Sequence, residues 1–169
     1  MSSSNFRHQI PFSKNKISAI VLAAGSSSRL GRPKQLVKYH GKSLILHVLE
    51  KALFAKFHSV FVVLGSNAEL IKKEIQFLPI NIFKNEKWEE GMGTSISEGI
   101  KYLNEIHPDS DGVILMTCDQ PFLTSDLLKK LWDKYLETNA PLVASRYEDT
   151  IGIPAFFSSK LFEELKNLK

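Results

Sequence analysis

Short apolar runs alternate along this chain with stretches whose apolar positions recur every three or four residues. The runs occupy 17–23 (ISAIVLA), 59–64 (SVFVVL), 80–83, 112–117 (GVILMT) and 141–145. Three of them are apolar at nearly every position instead of alternating, the pattern of strands covered on both faces in a parallel sheet. Between the runs lie predicted helices with start signals. Ser43 precedes a stripe of Leu44, Val48, Leu49, Ala52 and Leu53. Ser66 and Glu69 have capping-box spacing ahead of Ile71 and Ile75, and Ser95 and Glu98 repeat it ahead of Ile100 and Leu103. Thr124 precedes Leu127, Leu128, Leu131, Trp132 and Tyr135, and a last helix is predicted over 158–168, after GIPAFF. This alternation predicts a three-layer, doubly wound α/β fold with a mostly parallel, Rossmann-like sheet. Ligands of such sheets bind beyond the carboxyl ends of the strands, so the loops there are where chemistry is expected.

Bulk properties narrow the classes. At 169 residues the chain suits one domain, expected over 17–169, with 1–16 as a flexible N-terminal tail lacking any apolar core for a signal peptide. The most apolar window, ISAIVLAA, falls far short of the ~20 residues that span a bilayer. With 22 basic against 18 acidic residues, the net charge of +4 suits anionic small ligands without the excess expected of a nucleic-acid binder. The expectation is a soluble, cytoplasmic protein with no membrane or nucleic-acid partner. Cys118 is the only cysteine, which excludes an intrachain disulfide or a CxxC zinc site. His8, His40, His47, His58 and His107 show neither metal-ligand spacing nor a hydrolase context.

Three loops carry candidate chemistry. The first run opens directly into Gly25-Ser26-Ser27-Ser28-Arg29-Leu30-Gly31-Arg32-Pro33-Lys34. Successive N–H groups and hydroxyls in such a loop form an anion site, while Arg29 and Lys34 neutralise a polyphosphate and Pro33 stiffens the approach to Lys34. It is neither a Walker A loop nor a G-x-G-x-x-G fingerprint, and a solvated Gly/Ser loop is the plain alternative. The second loop is Cys118-Asp119-Gln120-Pro121, after the most apolar run. A carboxylate at a strand tip offers a hard oxygen to Mg²⁺ beside a polyphosphate; taken alone, Asp119 reads equally well as a turn residue or helix cap. The third is 85–95, where Gly91, Gly93 and a helix start offer a further anion or ribose site.

Together these segments resemble a known group. LAAGSSSRLGRPKQL is similar to the loop of the nucleotidyltransferases of molybdenum-cofactor biosynthesis, NEKWEEGMGTSISEGI to their N-x-x-W-x-x-G-M segment, CDQP to their Asp-x-Pro metal motif, and GIPAFF to their G-H-P-x-x-F segment. Within that group the chain looks closest to the molybdopterin cytidylyltransferases. The resemblance implies a Rossmann-like nucleotidyltransferase fold and Mg²⁺-dependent transfer of CMP from CTP to the phosphate of molybdopterin, releasing pyrophosphate. A molybdoenzyme or its maturation chaperone would then receive the product. Guanylyl transfer, transfer to another sugar or alcohol phosphate, and non-catalytic cofactor delivery are the alternatives. The residues expected to act are Arg29 and the backbone of Gly25, Ser26, Ser27 and Ser28 at the β- and γ-phosphates, Lys34 at the α-phosphate, and Asp119 at the metal. By resemblance, Ala23 and Ala24 face the base, Asn85 and Ser95 contact base or ribose, and Gly91 and Gly93 allow close approach. Two departures stand out: Ile153 replaces the histidine of G-H-P, and the family's G-D-x-G segment, source of a second metal carboxylate, does not appear before Lys169.

Overall fold

In the computed structural model, which describes residues 16–27 and 31–169, strands and helices alternate as the apolar pattern predicts. In chain order they are β1 (Ile17–Ala23), the two-residue strands β2 (Lys38–Tyr39) and β3 (Lys42–Ser43), α1 (Leu44–Phe54), β4 (Ser59–Leu64), α2 (Ala68–Ile75) and β5 (Asn81–Lys84). Then follow α3 (Met92–Ile106), β6 (Gly112–Thr117), α4 (Ser125–Thr138), β7 (Leu142–Tyr147), β8 (Thr150–Ser158) and α5 (Phe162–Lys166). Six strands form one sheet in the order β5-β4-β1-β6-β8-β7, in which β5, β4, β1 and β6 are parallel and β8 runs antiparallel to both its neighbours.

The near-continuous apolar strands are those covered on both faces. Every residue of β1 is buried, and alternate side chains enter different cores because successive residues of a strand point to opposite faces. Ile17, Ala19, Val21 and Ala23 pack with Ile45 and Leu49 of α1, Ile71 of α2 and Leu128 of α4. Ile20 and Leu22 pack with Ile100 and Leu103 of α3 and Phe162 and Leu165 of α5. Each of the larger side chains contributes about 2 kcal/mol on burial and each alanine less, and the two cores hold the sheet between its helical layers.

Thr124 caps α4 as expected, accepting the Leu127 N–H at 3.1 Å. Ser43 holds the predicted position ahead of α1 without a side-chain cap bond, Ser158 accepts the Lys160 N–H at the turn before α5, and the two predicted capping boxes do not form. At α2 the cap position is Asn67, in a left-handed conformation, and its amide donates to the Ser66 hydroxyl. At α3 the helix begins three residues before Ser95, because Gly91 at φ 126 ends the preceding turn and lets the helix start at Met92. GIPAFF is not a lead-in to a helix but most of β8. Ile153 and Pro154 fall at the bulge where the β7–β8 register shifts, a place where a proline costs the sheet no ladder bond. The last helix shrinks to α5 after a 3-10 turn at Ser159–Leu161. Lys16, placed in the tail by sequence, is tied down, since its backbone N–H donates to Asp111 and its ammonium pairs with Asp109. The rest of the expected tail lies outside the described residues.

From β1 the chain builds outward through β4 to β5, then returns through α3 to β6 on the other flank of β1. The loops leaving the carboxyl ends of β1 and β6 therefore diverge and open a crevice between them.

Candidate active site

A cavity of about 470 Å³ occupies that crevice. Its walls come from the end of β1 and the following loop (Leu22 to Ser27), the turn at Lys34 and Gln35, the segment from Trp88 to Met92, Ser95 of α3, and the tip of β6 at Thr117, Cys118 and Asp119. Pro33 leads into a 3-10 turn at Lys34–Leu36, closed by Leu36 N–H on the Pro33 carbonyl at 3.1 Å. That turn aims Lys34 across the crevice, and its Nζ meets Asp119 Oδ2 at 2.5 Å. Burial works to raise the Asp119 carboxyl, but hydrogen bonds from Lys34 and Thr117 and the lysine charge outweigh it and hold the group below the usual carboxylate value. Beside it, burial and the Asp119 charge push the Cys118 thiol up to about 12, so this sulfur packs and is no nucleophile at neutral pH.

The structure brings Ala23, Ala24, Gly25, Ser26, Ser27, Lys34, Gly91, Ser95 and Asp119 to one cavity. Ser28 and Arg29 lie outside the described residues. Asn85 and Gly93 are not on the wall. Asn85 is 1% exposed and spends its amide protons on the hydroxyls of Thr94 and Ser95, both at 3.0 Å, while its oxygen accepts the Lys87 N–H at 2.9 Å. It organises the start of α3 instead of presenting itself to a ligand. Gly93 faces the backbone of Lys169, so its missing side chain serves packing between α3 and that residue.

The wall also holds residues that were not predicted for the site, among them Gln35, Trp88, Glu89 and Met92. The signal for Trp88 was present in the sequence, an aromatic just ahead of two glycines. Its approach also needs Gly65, where a Cβ would stand 2.5 Å from Trp88 Cβ and 2.7 Å from the Ala24 carbonyl.

Mg²⁺ asks for hard oxygens and is commonly held by one or two carboxylates plus substrate phosphates. Asp119, half-exposed on the wall with Glu89 also lining the cavity, fits that donor chemistry. Among the described residues no group of three or more His, Cys, Asp or Glu side chains stands ready to enclose a metal by itself. Nor is any helix among them long and apolar enough to cross a membrane.

The sequence pattern of the MobA-like NTP transferase domain matches residues 19–169. The chain belongs to that family. Among its relatives, nicotine blue oxidoreductase of Paenarthrobacter nicotinovorans is 32% identical over 116 residues, covering 68% of this chain and 55% of that protein. The 2-C-methyl-D-erythritol 4-phosphate cytidylyltransferase of Thermosipho melanesiensis is 30% identical over 152 residues, covering 87% of this chain and 65% of the other. The chain thus spans less than two thirds of the length of either relative. Among solved structures, Rv0371c from Mycobacterium tuberculosis superposes with a TM-score of 0.80 at 31% identity, covering 91% of this chain and 77% of that one. Rv0371c has also been crystallised in complex with manganese. An oxidoreductase and a cytidylyltransferase by name are both similar to this chain, so the likeness alone leaves the substrates open.

Proposed function

We propose that the protein is a divalent-metal-dependent nucleotidyltransferase that transfers a nucleoside monophosphate from an NTP to a phosphate-bearing acceptor. The observation that carries this reading is the meeting of Lys34 and Asp119 beside the glycine-serine loop, at the switch point of the sheet. The cavity supplies a cation, a carboxylate and backbone donors, which is what a triphosphate and its metal need. In the reaction an acceptor phosphate oxygen attacks the α-phosphorus; the bond from α-phosphorus to the α–β bridging oxygen breaks, and pyrophosphate leaves with the electron pair. The nucleophile is already an anion, so positioning and charge neutralisation suffice and no strong general base is needed.

In this mechanism Lys34 turns from Asp119 toward the α-phosphate and offsets charge there as the bond breaks. The Gly25–Ser27 backbone and, by resemblance, Ser28 and Arg29 hold the outer phosphates. Trp88 and Met92 bound the base side of the cavity, with Ser95 toward the ribose. Asp119, with Glu89 close by on the wall, would hold Mg²⁺, which when bound withdraws charge from the phosphates. The finer reading, CMP from CTP to molybdopterin, rests on the loop and W-x-x-G-M resemblance, and a cytidylyltransferase among the relatives supports the choice of nucleotide.

The test is calorimetric titration with CTP, GTP, ATP and UTP, with and without Mg²⁺, followed by assay of pyrophosphate release with molybdopterin. Mg²⁺-dependent preference for CTP and acceptor-dependent pyrophosphate release are expected. A GTP preference moves the reading to guanylyl transfer. Binding without turnover moves it to nucleotide-dependent delivery, and absence of any nucleotide binding overturns it.

A further inference from the structure

Gln35 belongs to none of the residue sets discussed for phosphate or metal, yet it is tied to the site loop by its whole side chain. It is 2% exposed. Its Nε2 donates to the carbonyls of Ala23 at 2.9 Å and Gly25 at 2.8 Å, so both amide protons are spent on the backbone that leaves β1. Its Oε1 lies 3.5 Å from the Ser27 hydroxyl, which donates to it, and the same hydroxyl oxygen accepts the Lys34 N–H at 3.0 Å. One side chain thereby ties Ala23, Gly25 and Ser27 to the turn that presents Lys34. Ser27 itself sits at φ 55, a conformation that a residue other than glycine keeps only where its surroundings hold it.

The direction of these bonds matters. Among the described residues only Ile153–Pro154 is a cis peptide. The peptides following Ala23 and Gly25 are therefore trans, and in a planar trans peptide the C=O and the next N–H point opposite ways. Fixing the Ala23 and Gly25 carbonyls on Gln35 fixes the N–H groups of Ala24 and Ser26 with their backs to it. No other side chain of this size supplies two donors and an acceptor: glutamate sets lone pairs against two carbonyls, and leucine leaves those carbonyls unpaired.

We propose that Gln35 is the positioning residue of the loop, presetting the N–H groups of Ala24 and Ser26, and through Ser27 the backbone of Lys34, for an anionic triphosphate. The ligand half of this inference rests on the nucleotide reading above; the loop half does not.

The experiment compares the full chain with Gln35→Glu, which keeps volume, and Gln35→Leu, which removes all three polar partners. Without ligand, hydrogen exchange over residues 23–27 is expected to quicken at least about tenfold in both variants, while β6 and α3 stay as protected as before. Titration with magnesium tripolyphosphate and with Mg-CTP should show affinity lower by about tenfold or more, the scale of a lost buried hydrogen bond. In Gln35→Glu the deficit relative to wild type should shrink from pH 7.5 to 5.5, because a protonated carboxyl regains one donor; a residue that only packs gives no such pH profile. Unchanged loop exchange in a folded variant overturns the proposal, as does quickened exchange with unchanged affinity. If wild type binds neither ligand, the nucleotide reading fails on its own, and the exchange result alone still decides whether Gln35 organises the loop.

Discussion

Lys34 Nζ and Asp119 Oδ2 stand 2.5 Å apart although 85 residues separate them in the chain. One comes from a turn after β1 and the other from the tip of β6, and both side chains are more than a third exposed. A pair this wet adds under about 1 kcal/mol to stability, so its consequence lies in the site's chemistry. It also means that, before ligand arrives, the lysine occupies the carboxylate that a metal would use.

Removing the lysine should therefore have two opposite effects. Lys34→Met is expected to tighten binding of Mn²⁺ alone, by releasing Asp119, while cutting turnover by about 10²-fold or more through loss of charge at the transferred phosphate. Asp119→Asn should lose both metal binding and turnover. Metal titrations followed by steady-state rates distinguish these patterns, and near-normal turnover in both variants would remove the pair from the mechanism.

Trp88 is the flat ring on the cavity wall. Stacking of a base on such a ring is worth about 1–3 kcal/mol, so Trp88→Ala should weaken nucleoside triphosphate binding at least tenfold and leave tripolyphosphate binding nearly unchanged. Gly65→Ala drives a methyl against Trp88 and the Ala24 carbonyl. It should cost about 1–3 kcal/mol of stability, read by urea unfolding, and lower nucleotide affinity as well.

At the amino ends of the strands, the His58 and His107 rings lie 4.7 Å apart. Burial first, then the neighbouring His58 and Lys16 charges, lower the pKa of His107 below its ordinary value. Above about pH 6.5 the histidine is neutral in both folded and unfolded chains, and the full stability is present. As pH falls, the unfolded chain takes up the proton first, so stability declines until the folded-state value is passed. Urea unfolding of wild type and His107→Gln between pH 7.5 and 5 should show that part of the slope only in wild type.

Cys118, raised to about 12 and 7% exposed, should resist alkylation at pH 8 in the native protein and react freely in urea. Rapid native labelling would contradict the packed position described for this thiol.

What the sequence determined by itself was the alternation of layers and the strand-to-loop junctions that come to line the crevice. Strands β1, β4 and β6 were legible to the residue because burial on both faces demands unbroken apolar runs, and a run ends where the chain meets solvent. Asp119 alone reads equally well as a turn residue or helix cap, and it was its pairing with the charged loop holding Lys34 that pointed to one crevice, where the two side chains do meet. Strand β8 was hidden by Pro154, whose place at a bulge exists only once β7 pairs beside it. The buried roles of Asn85, Gly93 and Gln35 were equally hidden, because a polar side chain reads the same in sequence whether its partner is a ligand or the protein's own backbone. Only the tertiary structure decides that, by bringing Thr94 and Ser95 to Asn85, Lys169 to Gly93, and two carbonyls of the β1 loop to Gln35. Hydrophobic periodicity is a local property of the chain, while the satisfaction of a buried polar group depends on contacts that folding alone assembles.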